Sequence, residues 1–225
     1  MTSATTRRPG RPRGAQQDPV ERRAALVDAA ARAISAHGAT ASMEQIATEA
    51  GVSKATLYDN FDGKAGLTNA LLDHYGRQVL GTFAVGLDGP LTAQQVVRGG
   101  IEIFVRVIEA QPETYRFIVL NADGGAVMAD VAAPVTALVH SELTRQGLDP
   151  SGSEALAHAT LGAVFTATEW WCAKRTPPRK EFVDLLVGYV WAGLTASGLH
   201  ASDEPVDLTA VATAIAEAID APPLR

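Results

Sequence analysis

The sequence predicts an all-α protein, and three observations lead to that fold class. Apolar residues recur at helical spacing through most of the 225 residues, and helix-capping residues precede several of these runs. No stretch of useful length alternates between apolar and polar residues as a strand does. We expect a disordered basic arm over 1–17, a three-helix unit over 18–65 and a larger helical domain over 66–225.

The arm over 1–17 has no apolar period and combines proline and glycine with arginine, a composition that predicts disorder in isolation. Its core resembles an AT-hook, in which an extended Gly-Arg-Pro segment lies in a narrow A·T-rich minor groove. The negative potential of that groove attracts arginine. We therefore predict DNA contacts for the arginines of this arm, which are Arg7, Arg8, Arg11 and Arg13. The alternative is a solvated tail that only aids solubility.

The first helix is expected over about 19–37. Asp18 can cap it, Pro19 fits its first position, and Gly38 closes it. Its apolar stripe consists largely of alanine, which lets neighbouring helices pack closely.

Two short helices joined by a tight turn are predicted over 42–64. Ser42 and Gln45 form a capping box at the start of the first helix. Gly51 then stands where a left-handed residue commonly ends a helix. Ser53 caps the second helix, whose outward face carries the small and polar side chains that reach base edges and phosphates. The alternative is a helical hairpin without a DNA-binding role in an ordinary all-α protein.

The residues 46–67, IATEAGVSKATLYDNFDGKAGL, closely resemble the DNA-binding signature of the TetR family of transcription regulators. The resemblance extends over about 24–72. The positions that carry it are Ile46, Ala47, Ala50, Gly51, Val52, Ser53, Thr56, Leu57, Tyr58, Phe61, Lys64 and Leu67. It implies a helix-turn-helix that places its second helix in the major groove of DNA.

The resemblance also implies roles for single residues. Ser42, Tyr58 and Lys64 are implied phosphate contacts, and Ala55 and Thr56 stand where family members approach the bases. The DNA-binding residues expected in the folded unit are Ser42, Ser53, Lys54, Ala55, Thr56, Tyr58, Asn60 and Lys64.

Asp59 and Asn60 depart from the commonest family pattern, which has aromatic or histidine residues there. Asn60 can still bind a phosphate or read adenine. A carboxylate near phosphates is repelled, so Asp59 either accepts from a cytosine amine or lies outside the groove, solvated or paired with arginine. We favour the second interpretation.

The net charge of −6 looks wrong for a DNA-binding protein until it is divided along the chain. Residues 1–81 carry 10 basic and 8 acidic side chains, whereas residues 82–225 carry 9 and 17. The acidic excess therefore belongs to the part that can face away from DNA.

Other classes of protein find little support in the sequence. The five histidines show no metal-ligand spacing, and no nucleophile motif or phosphate loop is present, so we expect no enzyme, metal or cofactor. The single cysteine, Cys172, excludes an internal disulfide and fits a cytoplasmic location. The longest apolar stretch, 182–199, reads as a buried helix rather than a membrane span.

The larger domain is predicted to consist of helices over about 63–83, 92–111, 113–120, 127–146, 150–174, 179–197 and 208–219. Pro134 is expected near the start of one helix or at a kink in it. The helices on either side of Pro177 and Pro178 are rich in small apolar residues. Family resemblance places a homodimer interface there, as a four-helix bundle, and a purely intramolecular core is the alternative. The expected interface residues are Ala157, Leu161, Val164, Leu185, Tyr189, Ala192 and Gly193.

The remaining helices are expected to enclose an effector pocket. Its candidate walls are Phe104, Ile108, Tyr115, Phe117, Phe165, Trp170 and Trp171, each of which could equally be ordinary core. The runs over 101–121 and 168–194 are diffusely similar to TetR members that control fatty-acid and lipid metabolism, which implies an acyl chain or acyl-CoA as effector. We expect a repressor that leaves a palindromic operator when it binds this small apolar effector. A constitutive regulator without effector, and an activator, are the alternatives.

Overall fold

The computed structural model describes residues 18–86, 89–122 and 124–220, with side chains described for all of these except 124–131, 210 and 218–220. Throughout that part, every regular element is helical. The helices are α1 Pro19–His37, α2 Met43–Glu49, α3 Lys54–Phe61, α4 Gly63–Gly86, α5 Ala93–Ala110, α6 Pro112–Asn121, α7 Gly124–Arg145, α8 Ser153–Lys174, α9 Arg179–Ala196 and α10 Thr209–Asp220.

Each predicted helix is present, and the differences lie at the ends. Helix α4 is longer than predicted and extends to Gly86. Helix α7 begins at Gly124, which shortens the expected loop, and it contains Pro134 in its interior. A short 3₁₀ turn, Pro150–Gly152, precedes α8 because the side chain of Asp149 caps that turn instead of the helix.

Helices α1 to α3 form a compact unit through the capping interactions that the sequence predicts. The side chain of Asp18 accepts from the backbone N–H of Val20. The reciprocal capping box of Ser42 and Gln45 starts α2. Gly51 has a φ of 67°, in the left-handed region that favours glycine, and lets the chain turn into α3. The buried faces of the three helices share one apolar core with the first half of α4.

The junction between α3 and α4 depends on a close approach of their backbones. Helix α3 ends at Phe61, the next residue, Asp62, has a left-handed conformation, and α4 starts at Gly63. A Cβ on Gly66 would lie 1.5 Å from the carbonyl oxygen of Phe61, so only glycine fits there. This contact fixes the direction in which the long helix α4 leaves the three-helix unit.

The larger domain has its main core between α5, α6, α7, α8 and α9, and a smaller one where α10 packs on α4 and α7. Helix α6 lies between the domain and the three-helix unit. Its Phe117 and Ile118 belong to the core of that unit, whereas Tyr115 belongs to the core of the larger domain. Helices α4 and α6 are therefore the two elements that join the halves of the molecule.

Candidate DNA interface and effector cavity

The start of α3 is organised by a hydroxyl pair. The Oγ of Ser53 accepts from the backbone N–H of Thr56 at 3.1 Å and lies 2.8 Å from the Oγ1 of Thr56. Thr56 is half-buried, whereas Lys54 and Ala55 are exposed on the outer face of the same turn. The exposed edge of α3 therefore begins with an ammonium group and a methyl group.

Tyr58 continues this edge one turn later. Its side chain is 45% exposed, and the Nζ of Lys54 lies 5.9 Å from the centre of its ring. The neighbouring Asn60 donates from Nδ2 to the carbonyl oxygen of Thr56 at 2.7 Å, which fixes its amide against the helix. Asp59 is exposed. A phenol beside an ammonium group suits a phosphate, because both donate hydrogen bonds and one is positively charged.

Two further predicted contacts lie at helix starts. Ser42 is exposed at the start of α2, where its Oγ accepts from the backbone N–H of Gln45 at 3.2 Å and can still donate its own proton. Lys64 is half-buried at the start of α4, and its Nζ lies 4.9 Å from the centre of the Phe117 ring. Lys64 thus touches α6 as well as the three-helix unit.

The predicted DNA residues of the folded unit lie at the cap of α2, at the cap and on the first turns of α3, and at the start of α4. Five are exposed: Ser42, Ser53, Lys54, Ala55 and Tyr58. Thr56, Asn60 and Lys64 are half-buried. The arm residues Arg7, Arg8, Arg11 and Arg13 lie outside the described residues. DNA contact by each of these positions stays a prediction.

A first cavity lies in the larger domain between α4, α5, α7, α8 and α10. It encloses about 830 Å³ of empty space, counting its open mouth. Thr160 is the one polar side chain in its described lining, and all the others are apolar or glycine. Val211 of α10 forms part of the wall.

A second cavity, of about 680 Å³ on the same measure, lies beside it between α4, α5 and α6. Its lining includes Tyr75, Gln111 and Thr114. The hydroxyl of Tyr75 donates to the Oε1 of Gln111. Burial raises the pKa of Tyr75 above its ordinary value and outweighs the hydrogen bonds with Thr114 and Gln111, which lower it.

Four of the predicted wall residues line these cavities. Phe104 and Phe165 line both, and Ile108 and Tyr115 line the second. Burial, with a smaller effect of Glu169, raises the pKa of Tyr115 well above its ordinary value. Whether any of the four binds an effector stays a prediction.

The other three predicted wall residues lie elsewhere, which corrects that part of the prediction. Phe117 is fully buried in the core of the three-helix unit, on the face of α6 turned away from the cavities. Trp171 is buried against Phe182, and its indole N–H donates to the carbonyl oxygen of Pro177 at 2.7 Å. Trp170, one residue before, points outward and is 52% exposed.

Helix α4 contributes wall residues that the sequence did not predict. Tyr75 and Val79 line the second cavity, and Val79, Leu80 and Phe83 line the first. The apolar stripe of α4 continues past the three-helix unit, and this continuation is the signal that could have revealed the wall.

The expected dimer residues divide into two groups. Leu185 and Tyr189 are 63% and 70% exposed, and Ala192 and Gly193 are exposed beside them on α9. On α8, however, Ala157 and Val164 are buried and Leu161 lines the first cavity. These three face the interior, because helical spacing places them on the side of α8 that carries the domain core. The exposed side of α8 consists of other residues, among them Ala155, Ala159 and Trp170.

Other chemistry finds no support in the described part of the chain. Within it, no group of three or more His, Cys, Asp or Glu side chains could hold a metal ion. Cys172 is buried, and burial raises the pKa of its thiol. None of the helices described is long and apolar enough to cross a membrane.

Comparison with known proteins agrees with this geometry over both halves of the chain. Residues 26–71 match the family of bacterial regulatory proteins of the tetR type, and residues 82–205 match the tetracyclin repressor-like C-terminal domain. An HTH-type transcriptional regulator of Mycobacterium tuberculosis H37Rv is 33% identical over 201 residues, which cover 86% of each chain. The HTH-type transcriptional activator FasR of Mycolicibacterium smegmatis is 28% identical over 196 residues, 83% of this chain and 89% of FasR.

A solved structure shares the fold. The transcriptional regulator FadR of Bacillus subtilis, in complex with stearoyl-CoA, superposes with a TM-score of 0.60 over 79% of this chain and 98% of FadR, at 15% identity. At that identity the likeness concerns the fold alone.

An all-α chain with a helix-turn-helix at one end and a helical domain with an apolar cavity at the other defines a DNA-binding transcription regulator. The two matches place it more narrowly: the chain belongs to the TetR family. It is a regulator and not an enzyme.

Proposed function

We propose that the protein is a homodimeric repressor that leaves a palindromic operator when a small, largely apolar effector occupies the cavities of the larger domain. One observation carries this proposal. Helix α6 forms a wall of the second cavity with Thr114, Tyr115 and Ile118, and it also holds the three-helix unit. The repressor would act in the cytoplasm, where bacterial DNA lies.

The contacts of α6 supply a physical route between effector and DNA. The Oε2 of Glu113 accepts from the backbone N–H of Ala39 at 3.1 Å, in the loop between α1 and α2. Its Oε1 accepts from Arg116 at 2.9 Å. An effector that displaces α6 therefore shifts the loop on which α2 begins. The ligand can change the free energy of DNA binding only by the difference between its own binding free energies for the displaced and the undisplaced α6. This difference is typically about 1–3 kcal/mol.

The exposed face of α9 supports the homodimer. Leu185, Tyr189, Ala192 and Gly193 lie along it, and Trp170 is exposed on the adjacent helix α8. Large exposed apolar side chains set among small ones suit the close packing of two helices against their symmetry mates. A twofold dimer would place its two α3 helices on half-sites separated by one turn of DNA, about 34 Å.

The cavity lining and one structural neighbour support an apolar effector. The walls are almost wholly apolar, and FadR of Bacillus subtilis is seen with stearoyl-CoA. The hydrocarbon of an acyl chain fits such a lining, and in acyl-CoA the charged nucleotide would lie outside the domain.

An activator is the second candidate, because the relative FasR is a transcriptional activator. A regulator without effector is the third, and it predicts DNA binding that no small molecule changes.

The test uses the full chain and a duplex that it selects from a random pool. We expect a total lipid extract of bacterial cells to weaken binding to this duplex about 5- to 150-fold, the range of typical coupling energies. Unchanged affinity at saturating extract would favour the constitutive regulator. Tighter binding would favour an activator-type response.

A further inference from the structure

The two cavities are neighbours that share residues in their walls. Val79, Phe104 and Phe165 line both of them. The rings of Phe104 and Phe165 meet edge to face, with their centres 4.6 Å apart. Both side chains are half-buried, and a rotation of either ring would change the wall that the two cavities share. Such a change would let a single elongated molecule occupy both.

The two ends of this joined space differ in chemistry. The first cavity offers one hydroxyl, that of Thr160, among apolar side chains. The second offers Tyr75, Gln111 and Thr114. The hydrogen bonds described for the Gln111 side chain use its Oε1, which accepts from Tyr75 and lies 3.4 Å from the Oγ1 of Thr114. The amide nitrogen of Gln111 is a further donor group in this wall, and the residue is exposed.

The described linings of both cavities contain no Asp, Glu, Lys, Arg or His. Transfer of a carboxylate or ammonium group into an apolar site without a partner is strongly unfavourable, whereas a hydroxyl or ester needs only a hydrogen bond. The cationic side chain on the adjoining turn of α6, Arg116, is engaged with Glu113 on the other side of the helix. The described linings thus offer no ionic partner to a charged head group.

We infer that the effector is an elongated apolar molecule with an uncharged polar end, and that it lies across both cavities with this end beside Tyr75, Gln111 and Thr114. The Phe104–Phe165 pair is then the element that admits long chains and limits short ones to a single cavity. The inference rests on the proposed function only in taking the cavities as the effector site.

Three probes of equal chain length test the inference with the full chain alone: dodecan-1-ol, methyl dodecanoate and dodecanoate at pH 8, below their aggregation concentrations. Titration calorimetry should show the alcohol and the ester binding at least tenfold more tightly than the carboxylate. Equal or tighter binding of dodecanoate would overturn the inference, and so would the absence of binding by all three. Butan-1-ol, which is too short to cross the ring pair, should bind far more weakly than dodecan-1-ol.

Two variants locate the polar end. Gln111→Leu should reduce the preference for dodecan-1-ol over dodecane about tenfold, because it removes a donor and an acceptor from this wall. Gln78→Leu makes the same change at an exposed position of α4 outside both linings and should leave that preference unchanged. Equal effects of the two variants would contradict the placement.

A third variant tests the partition. Phe104→Leu should improve the affinity of dodecan-1-ol relative to butan-1-ol, because a smaller side chain leaves the passage open. An unchanged ratio in a variant with unaltered thermal unfolding would show that the rings do not separate the cavities.

Ligand binding without any change in DNA affinity would refute the sensor in the proposed function and leave the present inference standing. Release from DNA by dodecanoate but not by the alcohol or the ester would support the sensor and refute the present inference.

Discussion

At the scale of single residues, the exposed edge of α3 contains two kinds of side chain. Lys54 and Tyr58 carry groups that bind phosphates, which every DNA sequence presents alike. Ala55 and Thr56 carry a methyl and a hydroxyl group at the head of the helix, where a reading helix meets base edges. The hydroxyl of Thr56 is held by Ser53, so any base contact that it makes starts from a fixed position.

The first prediction concerns this division. Tyr58→Phe and Lys64→Ala should weaken binding about tenfold on every duplex, because each removes a donor to a phosphate. Ala55→Ser and Thr56→Ala should instead change which duplex sequence is preferred. The binding free energies of the preferred and the altered duplex should then shift relative to each other by about 1–3 kcal/mol. Dissociation constants on a selected duplex and on a scrambled one measure both effects. Equal losses on both duplexes for all four variants would contradict the division.

The second prediction concerns the α3–α4 junction. Gly66→Ala forces a methyl group onto the carbonyl oxygen of Phe61 and should lower the free energy of unfolding by about 4 kcal/mol or more. Gly81→Ala makes the same change farther along α4, where a Cβ would have no atom outside its own stretch of helix within 4 Å. This variant should raise the free energy of unfolding by about 0.5–1 kcal/mol. Urea unfolding of the two variants provides the comparison. Similar stabilities would mean that the close approach is not needed.

The sequence predicts the residues that act locally far better than those that act at a distance. The caps Asp18, Ser42 and Ser53 were predictable, because a cap bonds to backbone within three residues. The need for Gly66 was not, because it arises from a carbonyl oxygen on a different helix.

At the scale of elements, α6 separates two environments. One side of it, with Thr114 and Tyr115, faces the second cavity. The other, with Glu113 and Phe117, faces the loop after α1 and Lys64 of α4. Under the proposed function, a displacement of this ten-residue helix by a ligand would move the contacts on both of its sides.

The third prediction tests the contact of α6 with the loop. Glu113→Ala removes the acceptor for the N–H of Ala39, and hydrogen exchange of the peptide over 38–42 should become about five- to tenfold faster. Glu113→Gln keeps an acceptor oxygen and should change exchange much less. Glu154→Ala, on an exposed turn of α8, is the control for loss of an acidic side chain. Unaltered exchange in Glu113→Ala would remove this contact from the proposed route.

The helices themselves were predictable because each is bounded by caps, glycine or proline. Which side of each helix lines a cavity was predictable only in part. Phe117 and Tyr115 are two residues apart and similar in character, yet they point to opposite sides of α6. Aromatic composition cannot distinguish the two residues. The helical period of 3.6 residues could have done so, because residues two apart on a helix point to opposite sides.

At the scale of the whole molecule, the acidic excess lies in residues 82–225 and the basic excess in 1–81. The four arginines of residues 1–17 supply that basic excess, since residues 18–81 alone carry 6 basic and 8 acidic side chains. The division therefore favours an orientation on DNA in which the arm lies toward the phosphates and the larger domain lies away from them. The α9 face then lies in the part of the protein that does not touch DNA and can pair with a second copy.

The fourth prediction concerns that pairing. Leu185→Glu places a charge in the centre of the proposed interface and should convert the dimer to a monomer in sedimentation experiments. Val85→Glu makes a comparable change at another exposed apolar residue, on α4, and should leave the dimer intact. Leu185→Glu should also weaken operator binding, since one α3 helix contacts only one half-site. A stable dimer in this variant would exclude α9 as the interface.

The central claim is that the exposed edge of α3 binds DNA, and hydrogen exchange of the full chain with and without a selected duplex tests it most directly. We predict slower exchange over residues 42–64 in the complex, with tighter protection at lower salt because phosphate contacts release counterions. Protection confined to the larger domain, or no binding to any duplex at low salt, would contradict the claim.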